Sequence, residues 1–123
     1  VMGLYYMPFW TEIWWKDYKV QALPRNTRLI FYDFLFLLWD RDMVLQNDDE
    51  AISYYLRITP PEWLDAKRTL LKVDLIQSIQ ANRRLTCQRL GLEYERIMDE
   101  GAKRSEKARM AAKTKWEKQK ENK

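Results

Sequence analysis

Twenty-two lysines and arginines, one cysteine and no histidine delimit the chemistry open to this 123-residue chain. Nucleophilic catalysis of the usual kind pairs a Ser, Thr or Cys with a base, and Cys87 has no histidine to serve it. The same composition removes zinc sites of the usual Cys/His spacing. A lone cysteine forms no internal disulfide, which suits a reducing cytosol. The three glycines stand apart at positions 3, 91 and 101, so no glycine-rich loop cradles a phosphate. Acid pairs such as Asp48 with Asp49 are the nearest thing to a metal cluster. Consecutive carboxylates point in different directions around a helix, however, and acids in a first turn suit the positive end of the dipole, so capping is the expected role. The expectation is a chain without catalytic residues, metal or cofactor, whose positive groups do the binding.

Those groups are unevenly placed. Positions 101–123 hold nine Lys/Arg against three Glu, a balance of +6, whereas positions 1–100 hold 13 against 15, a balance of −2. Attraction to phosphates must then come from the tail or from local clusters in the body. The body clusters are Lys67, Arg68, Thr69 and Lys72, and the pair Arg83 and Arg84. The tail supplies Lys103, Arg104, Lys107, Arg109, Lys113 and Lys115. Each set has a plainer reading. Arg68 and Lys72 stand beside Glu62 and Asp65 as the solvated side of an amphipathic helix would, and an Ala/Lys/Glu tail is a common solubilising appendage.

The elements that must position these residues are organised around Arg28–Trp39, in which Asp33 is the only polar residue after the opening arginine. A helix apolar on every side belongs in the middle of other elements. It is shorter than the roughly 20 residues a bilayer requires, and Asp40-Arg41-Asp42 ends it, so no membrane partner is expected. Before it, Met7-Pro8-Phe9-Trp10 reads as extended, and Thr11 caps a short helix over Glu12–Lys19 that lids the core with Ile13, Trp14 and Trp15. The sharper alternative is an aromatic platform for single-stranded bases, with Lys16 and Lys19 as its only nearby positive charges. Leu23-Pro24-Arg25-Asn26 opens the central helix.

After a connector at Val44–Glu50, a helix over Asp48–Arg57 puts Ala51, Ile52, Tyr55 and Leu56 on one side. Ile58-Thr59-Pro60-Pro61 breaks it, and Thr59 with Glu62 has the spacing of a capping box. The helix that follows runs to about Lys72, burying Trp63, Ala66 or the Lys67 stem, Leu70 and Leu71, and showing Asp65, Arg68, Thr69 and Lys72. Val73–Gln80 alternates in places, Ala81-Asn82 offers a turn, and Arg84–Arg89 returns, which reads as a hairpin unless Val73–Ala81 prolongs the helix. Leu90, Tyr94, Ile97 and Met98 have helical spacing and are expected to pack back on the core. The tail has high helix propensity and little apolar content, so alone it is a marginal helix or disordered. The expected fold is mainly α with a small β-hairpin: a winged-helix-like helix-turn-helix domain over 1–100 and a basic, helical C-terminal tail over 101–123. The start of the chain lacks the charged lead and long apolar segment of a secretion signal, so a cytoplasmic location is expected.

Met7-Pro8-Phe9-Trp10 with Asp17 following, Leu23, Trp39, Leu45 with Asn47-Asp48-Asp49-Glu50, Pro60-Pro61-Glu62-Trp63, the pairs Arg84-Leu85 and Arg89-Leu90, and Lys115-Trp116-Glu117 occur in an order that resembles the YdaU-like family. That family is a poorly characterised domain of phage and prophage replication modules. The similarity covers about Met7–Leu90 and extends loosely into the tail. It departs from the family where a small residue usually stands (Leu29), where the connector is usually glycine-rich (Arg41–Val44) and where the hairpin turn usually holds glycine (Asn82), the marks of a divergent member. The resemblance implies a winged-helix-like domain associated with phage DNA replication, and it brings no catalytic residues.

The function expected is therefore that of a non-catalytic DNA-binding protein, with duplex or single strand left open. Contacts come from the second helix of the pair, the wing and the tail. If four to six of the named cations neutralise phosphates, log K falls with log salt at a slope of roughly −4 to −5. The alternative is an adaptor in a replication complex that recruits a helicase or its loader, or pairs with a second copy of itself, with little direct DNA contact.

Overall fold

The apolar run folds within a helix, Arg25–Asp40, which starts inside the expected opening Leu23-Pro24-Arg25-Asn26, with Pro24 as its N-cap. Ile30, Phe31, Phe34, Leu35, Leu38 and Trp39 are buried in it. Trp14 meets Phe31 edge-on at 5.9 Å, and Trp63 stacks on Phe34 at 5.4 Å. The helix is nevertheless not enclosed. Leu29 and Phe36 are each 51% exposed and share a strip with exposed Asp33 and Asp40 at intervals of three or four residues. The expectation of burial on every side is corrected here: among the described residues, the elements packed on the helix leave one strip at the surface.

The structure is a computed structural model that describes the backbone of residues 14–121 and the side chains of 14–117. The expected extended segment Met7–Trp10 and the Thr11 cap lie outside the described residues. In chain order the elements are α1 (Tyr18–Gln21), α2 (Arg25–Asp40), β1 (Leu45–Gln46), α3 (Asp49–Leu56), α4 (Pro60–Lys72), β2 (Gln77–Ile79), β3 (Arg84–Thr86) and α5 (Gln88–Glu121). The chain divides into two compact units, Val1–Gly91 (the body) and Leu92–Lys123.

Local chemistry sets most boundaries. Asp17 is extended and its carboxylate accepts from the N–H groups of Lys19 (2.8 Å) and Val20 (3.3 Å), starting α1. The expected helix Glu12–Lys19 is broken at this point, because a short acidic side chain competes for the backbone donors. Asp48 caps α3 by accepting from the Ala51 N–H at 3.2 Å. Thr59 and Glu62 close a capping box over Pro60 and Pro61, whose missing donors cost nothing in a first turn. Within α3, Ile52 and Ser53 are buried while Tyr55 is 49% exposed, so the expected buried side is rotated away from Tyr55.

Three helices end on a left-handed residue that is not glycine. In α2 the residue is Asp42 (φ 55°), with the Met43 N–H on the Leu38 carbonyl at 2.7 Å. In α3 it is Arg57 (φ 59°), with the Ile58 N–H on Ser53 at 3.0 Å, and in α4 it is Asp74 (φ 61°), with the Leu75 N–H on Leu70 at 3.0 Å. Each is a Schellman closure, which satisfies carbonyls that the helix leaves over.

The expected hairpin forms but is shorter than Val73–Gln80 with Arg84–Arg89, because Val73 and Asp74 close α4 and Gln88 already begins α5. β3 pairs antiparallel with β2, Ser78 opposite Leu85 and Ile79 opposite Arg84. Its other edge pairs with β1, Leu45 opposite Leu85 and Gln46 opposite Arg84, giving the order β1-β3-β2. β1 lies in what reads as a connector. The fold is thus mainly helical with a small three-stranded antiparallel sheet. In α5 Leu90 is fully buried, whereas Leu92 and Met98 are 69% and 40% exposed, so Met98 does not belong to a buried stripe. Among the described residues no helix is long and apolar enough to cross a membrane.

Candidate nucleic-acid interface

α4 carries four of the predicted contacts and uses them differently. Lys67 points inward: its side chain is 15% exposed, and Nζ donates to Asp49 Oδ1 at 2.8 Å and to Asn47 Oδ1 at 2.7 Å. The same Asp49 oxygen accepts the indole N–H of Trp63 at 2.9 Å. Lys67 is thereby the hub of an internal network rather than an outward cation. The two acids read together in the sequence have separate tasks, Asp48 on the backbone of α3 and Asp49 on α4.

Arg68 and Lys72 are exposed, one turn apart on the outer side of α4, and exposed Asp65 shares that strip. Thr69 is half-buried, with its hydroxyl donating to the Asp65 carbonyl at 3.3 Å. Two positive and one negative group, with Glu62 exposed in the first turn, leave this side of the helix close to electroneutral.

Arg83 and Arg84 sit where the hairpin returns. Its turn holds Gln80, Ala81 and Asn82 at φ 53°, 55° and 65°, three successive left-handed residues without a glycine. Ser78 Oγ donates to Asn82 Oδ1 at 2.7 Å. Asn47 clamps the turn from the connector before α3: its side-chain amide donates to the Asn82 carbonyl and its backbone N–H to the Arg83 carbonyl, both at 2.8 Å. Asn47 therefore joins the hairpin turn to Lys67, and Lys67 to the core through Asp49 and Trp63. Exposed Arg83 and half-buried Arg84 line a groove of about 370 Å³ with Gln46, Asn47, Asp48 and Gln80. In the sequence Asn47 stands within the connector Val44–Glu50. Its partner is 35 residues away, and no local spacing signals the pair.

Lys103, Arg104, Lys107, Arg109, Lys113 and Lys115 are all exposed on α5. At about 100° per residue, Lys103, Arg104, Lys107 and Lys115 fall within one third of the helix circumference. Arg109 and Lys113 fall on another side, next to Glu106 and Glu117. The body, ending at Gly91, holds 12 Lys/Arg against 11 Asp/Glu, a balance of +1. Glu93, Glu95, Asp99 and Glu100 lie in the second unit, where Glu93 and Glu100 flank Arg96 at 2.9 and 3.1 Å.

Cys87 is 1% exposed, and burial raises its thiol pKa against the opposing pull of the N–H groups of Leu90 and Arg89. Such a thiol is a small core hydrophobe, not a nucleophile. Asp17 behaves in the opposite way. Burial pushes its pKa up, but the Arg89 guanidinium and the N–H groups of Lys19 and Val20 together outweigh it and hold the carboxyl below its ordinary value. Arg89 also lies 5.0 Å over the ring of Trp14. No family model, curated protein or solved structure matches this chain.

Proposed function

We propose that the chain is a non-catalytic DNA-binding protein of YdaU-like type, acting in phage or prophage DNA replication, with a winged-helix body and a basic helical tail. The observation that carries this reading is the element order α2-β1-α3-α4-β2-β3 with a β1-β3-β2 sheet. It is a helix pair followed by a hairpin that returns beside the strand preceding the pair, with an exposed arginine at its turn. In this reading α4 is the helix presented to the groove and the hairpin is the wing. The clamped turn favours phosphate contact, since Arg83 is held without first losing loop entropy.

The internal position of Lys67 and the near-neutral outer side of α4 shift the electrostatic load. Arg83 and Arg84 and the four tail cations on one arc carry it, and Arg68 and Lys72 add position more than charge. Titrating the full chain with a labelled duplex at several salt concentrations tests this. A slope of roughly −4 to −5 is expected, reduced by up to about 2 in Arg83→Ala/Arg84→Ala and by about 3 to 4 in Lys103→Ala/Arg104→Ala/Lys107→Ala/Lys115→Ala. A slope near zero for the native chain removes the proposal.

A specific observation favours the adaptor reading as the alternative. Tyr54 is 77% exposed, and Tyr55, 49% exposed with Arg41 4.7 Å over its ring, borders a groove of about 300 Å³ also lined by Val44, Leu45, Ala51 and Ile52. A replication helicase, its loader or a second copy of the chain is the expected occupant under that reading, and light scattering after size exclusion separates a dimer from a monomer.

A further inference from the structure

We infer that a second face of the body, built by Trp15, Tyr18, Lys19 and Arg28, binds single-stranded nucleic acid by stacking its bases. Two adjacent tryptophans divide the labour. Trp14 is fully buried against Phe31, whereas Trp15 is 54% exposed, and Tyr18, three residues on, is 78% exposed. Large aromatic surface left in water gives the fold little stability, but it provides flat π faces to unpaired bases.

The charges around these rings are what the sequence alone hides. Read along the chain, the aromatic stretch has only Lys16 and Lys19. Folding brings the start of α2 beside it, with the Arg28 guanidinium 5.9 Å from the Trp15 ring centre and exposed Arg25 one turn earlier. Residues 14–28 then hold Lys16, Lys19, Arg25 and Arg28 against one acid, Asp17. The Asp17 carboxylate is already taken by Arg89 and by the N–H groups of Lys19 and Val20. Counting Asp74 and Arg89, which line a cleft with Tyr18 and Lys19, gives five cations against two acids, a positive balance unlike that of the outer side of α4.

The segment is also held in place. The Gln21 side-chain amide donates to the Trp15 carbonyl, Asp17 caps α1, and Arg89 ties Asp17 to the start of α5 within the body. Stacking requires a strand whose bases are free, because a duplex hides their faces, so the chemistry selects single strands over duplex. A single strand exposed beside a duplex is the substrate that would engage this face and the hairpin together. The inference shares only its class of ligand with the proposed function, since the residues are different.

The test is anisotropy of the full chain with labelled oligothymidylate of about 15 nucleotides and, separately, a labelled duplex of similar length. Trp15→Ala and Tyr18→Ala are each expected to weaken oligothymidylate binding by about 5-fold to 100-fold, with Trp15→Phe close to native and duplex affinity unchanged within about two-fold. Arg83→Ala/Arg84→Ala is expected to show the reverse pattern. Thermal unfolding of each variant must match the native chain; if Trp15→Ala unfolds, Tyr18→Ala and an Arg28→Gln variant carry the comparison. The inference is overturned if the native chain binds duplex but not oligothymidylate, if Trp15→Ala/Tyr18→Ala binds oligothymidylate like the native chain, or if polyglutamate competes as well as unlabelled oligothymidylate does. Absence of binding to both nucleic-acid probes sinks the proposed function as well, whereas loss of oligothymidylate binding alone leaves it standing.

Discussion

Replacing Lys67 with methionine separates a cation that holds the body together from one that meets phosphate. Methionine keeps the length of the stem and removes the charge. It deletes two hydrogen bonds, of 2.8 Å to Asp49 and 2.7 Å to Asn47, and leaves Asp49 with the Trp63 indole and solvent. Hydrogen bonds to charged groups contribute about 1.5–3 kcal/mol when shielded. The Asp49 side chain is 35% exposed and recovers part of this from water, so the expected loss is about 1–2 kcal/mol. Asp49→Ala is more severe, because the indole N–H of a fully buried Trp63 loses its acceptor, and a loss of about 2–3 kcal/mol is expected. Both substitutions act on one carboxylate, so the double variant should cost less than the two single losses combined, by about 1 kcal/mol. Urea unfolding followed by tryptophan fluorescence reads all three. In a unit of this size 1 kcal/mol corresponds to about 4–8 °C in Tm. The decisive comparison is with DNA binding, where Lys67→Met should leave the salt slope unchanged while stability falls. A variant as stable as the native chain whose slope drops by about 1 would refute the network and return Lys67 to the phosphate surface.

Glycine at the left-handed helix end of Arg57, or at Ala81 in the hairpin turn, should stabilise the chain by about 0.5–1 kcal/mol each, measured as a raised urea midpoint. No gain at Arg57 would mean that its side chain compensates for the backbone conformation. Asp17 has a folded-state pKa below its ordinary 3.8, so its ion pair and cap contribute fully above that value and are lost as pH falls through it. Asp17→Asn should therefore lower Tm at neutral pH and converge with the native chain in acid, once pH has fallen below the depressed folded-state pKa of Asp17. A constant offset at all pH values would contradict this. Cys87 should react with an aromatic disulfide reagent only under unfolding conditions, and prompt reaction of the native chain would contradict its burial.

Rules that act over three or four residues were legible in the chain itself. Thr59, Pro60, Pro61 and Glu62 announce where α4 begins, Asp48 announces α3, and the apolar run announces α2 as the centre of the body. The hairpin was legible as turn chemistry around Asn82, though its ends were set by neighbouring helices rather than by the alternation of Val73–Gln80. β1 was not legible, because two residues carry no periodicity and their partner Leu85 lies far along the chain. The sequence shows Arg68 to solvent and offers Ala66 or the Lys67 stem for burial, but does not show what the Lys67 ammonium meets. Neighbouring cations on a helix differ by about 100° in direction, and what waits in each direction is supplied from elsewhere: Asn47 and Asp49 for one, solvent for the other. The same holds for Trp14 and Trp15, one taken into the core against Phe31 and the other left beside Arg28. Sequence by itself determined the helices α2 to α4, the caps of α3 and α4 and the reservoir of positive charge, since these obey short-range backbone chemistry. Which charges and aromatics face outward was decided by tertiary packing alone, because the groups that neutralise or cover them arrive from distant parts of the chain.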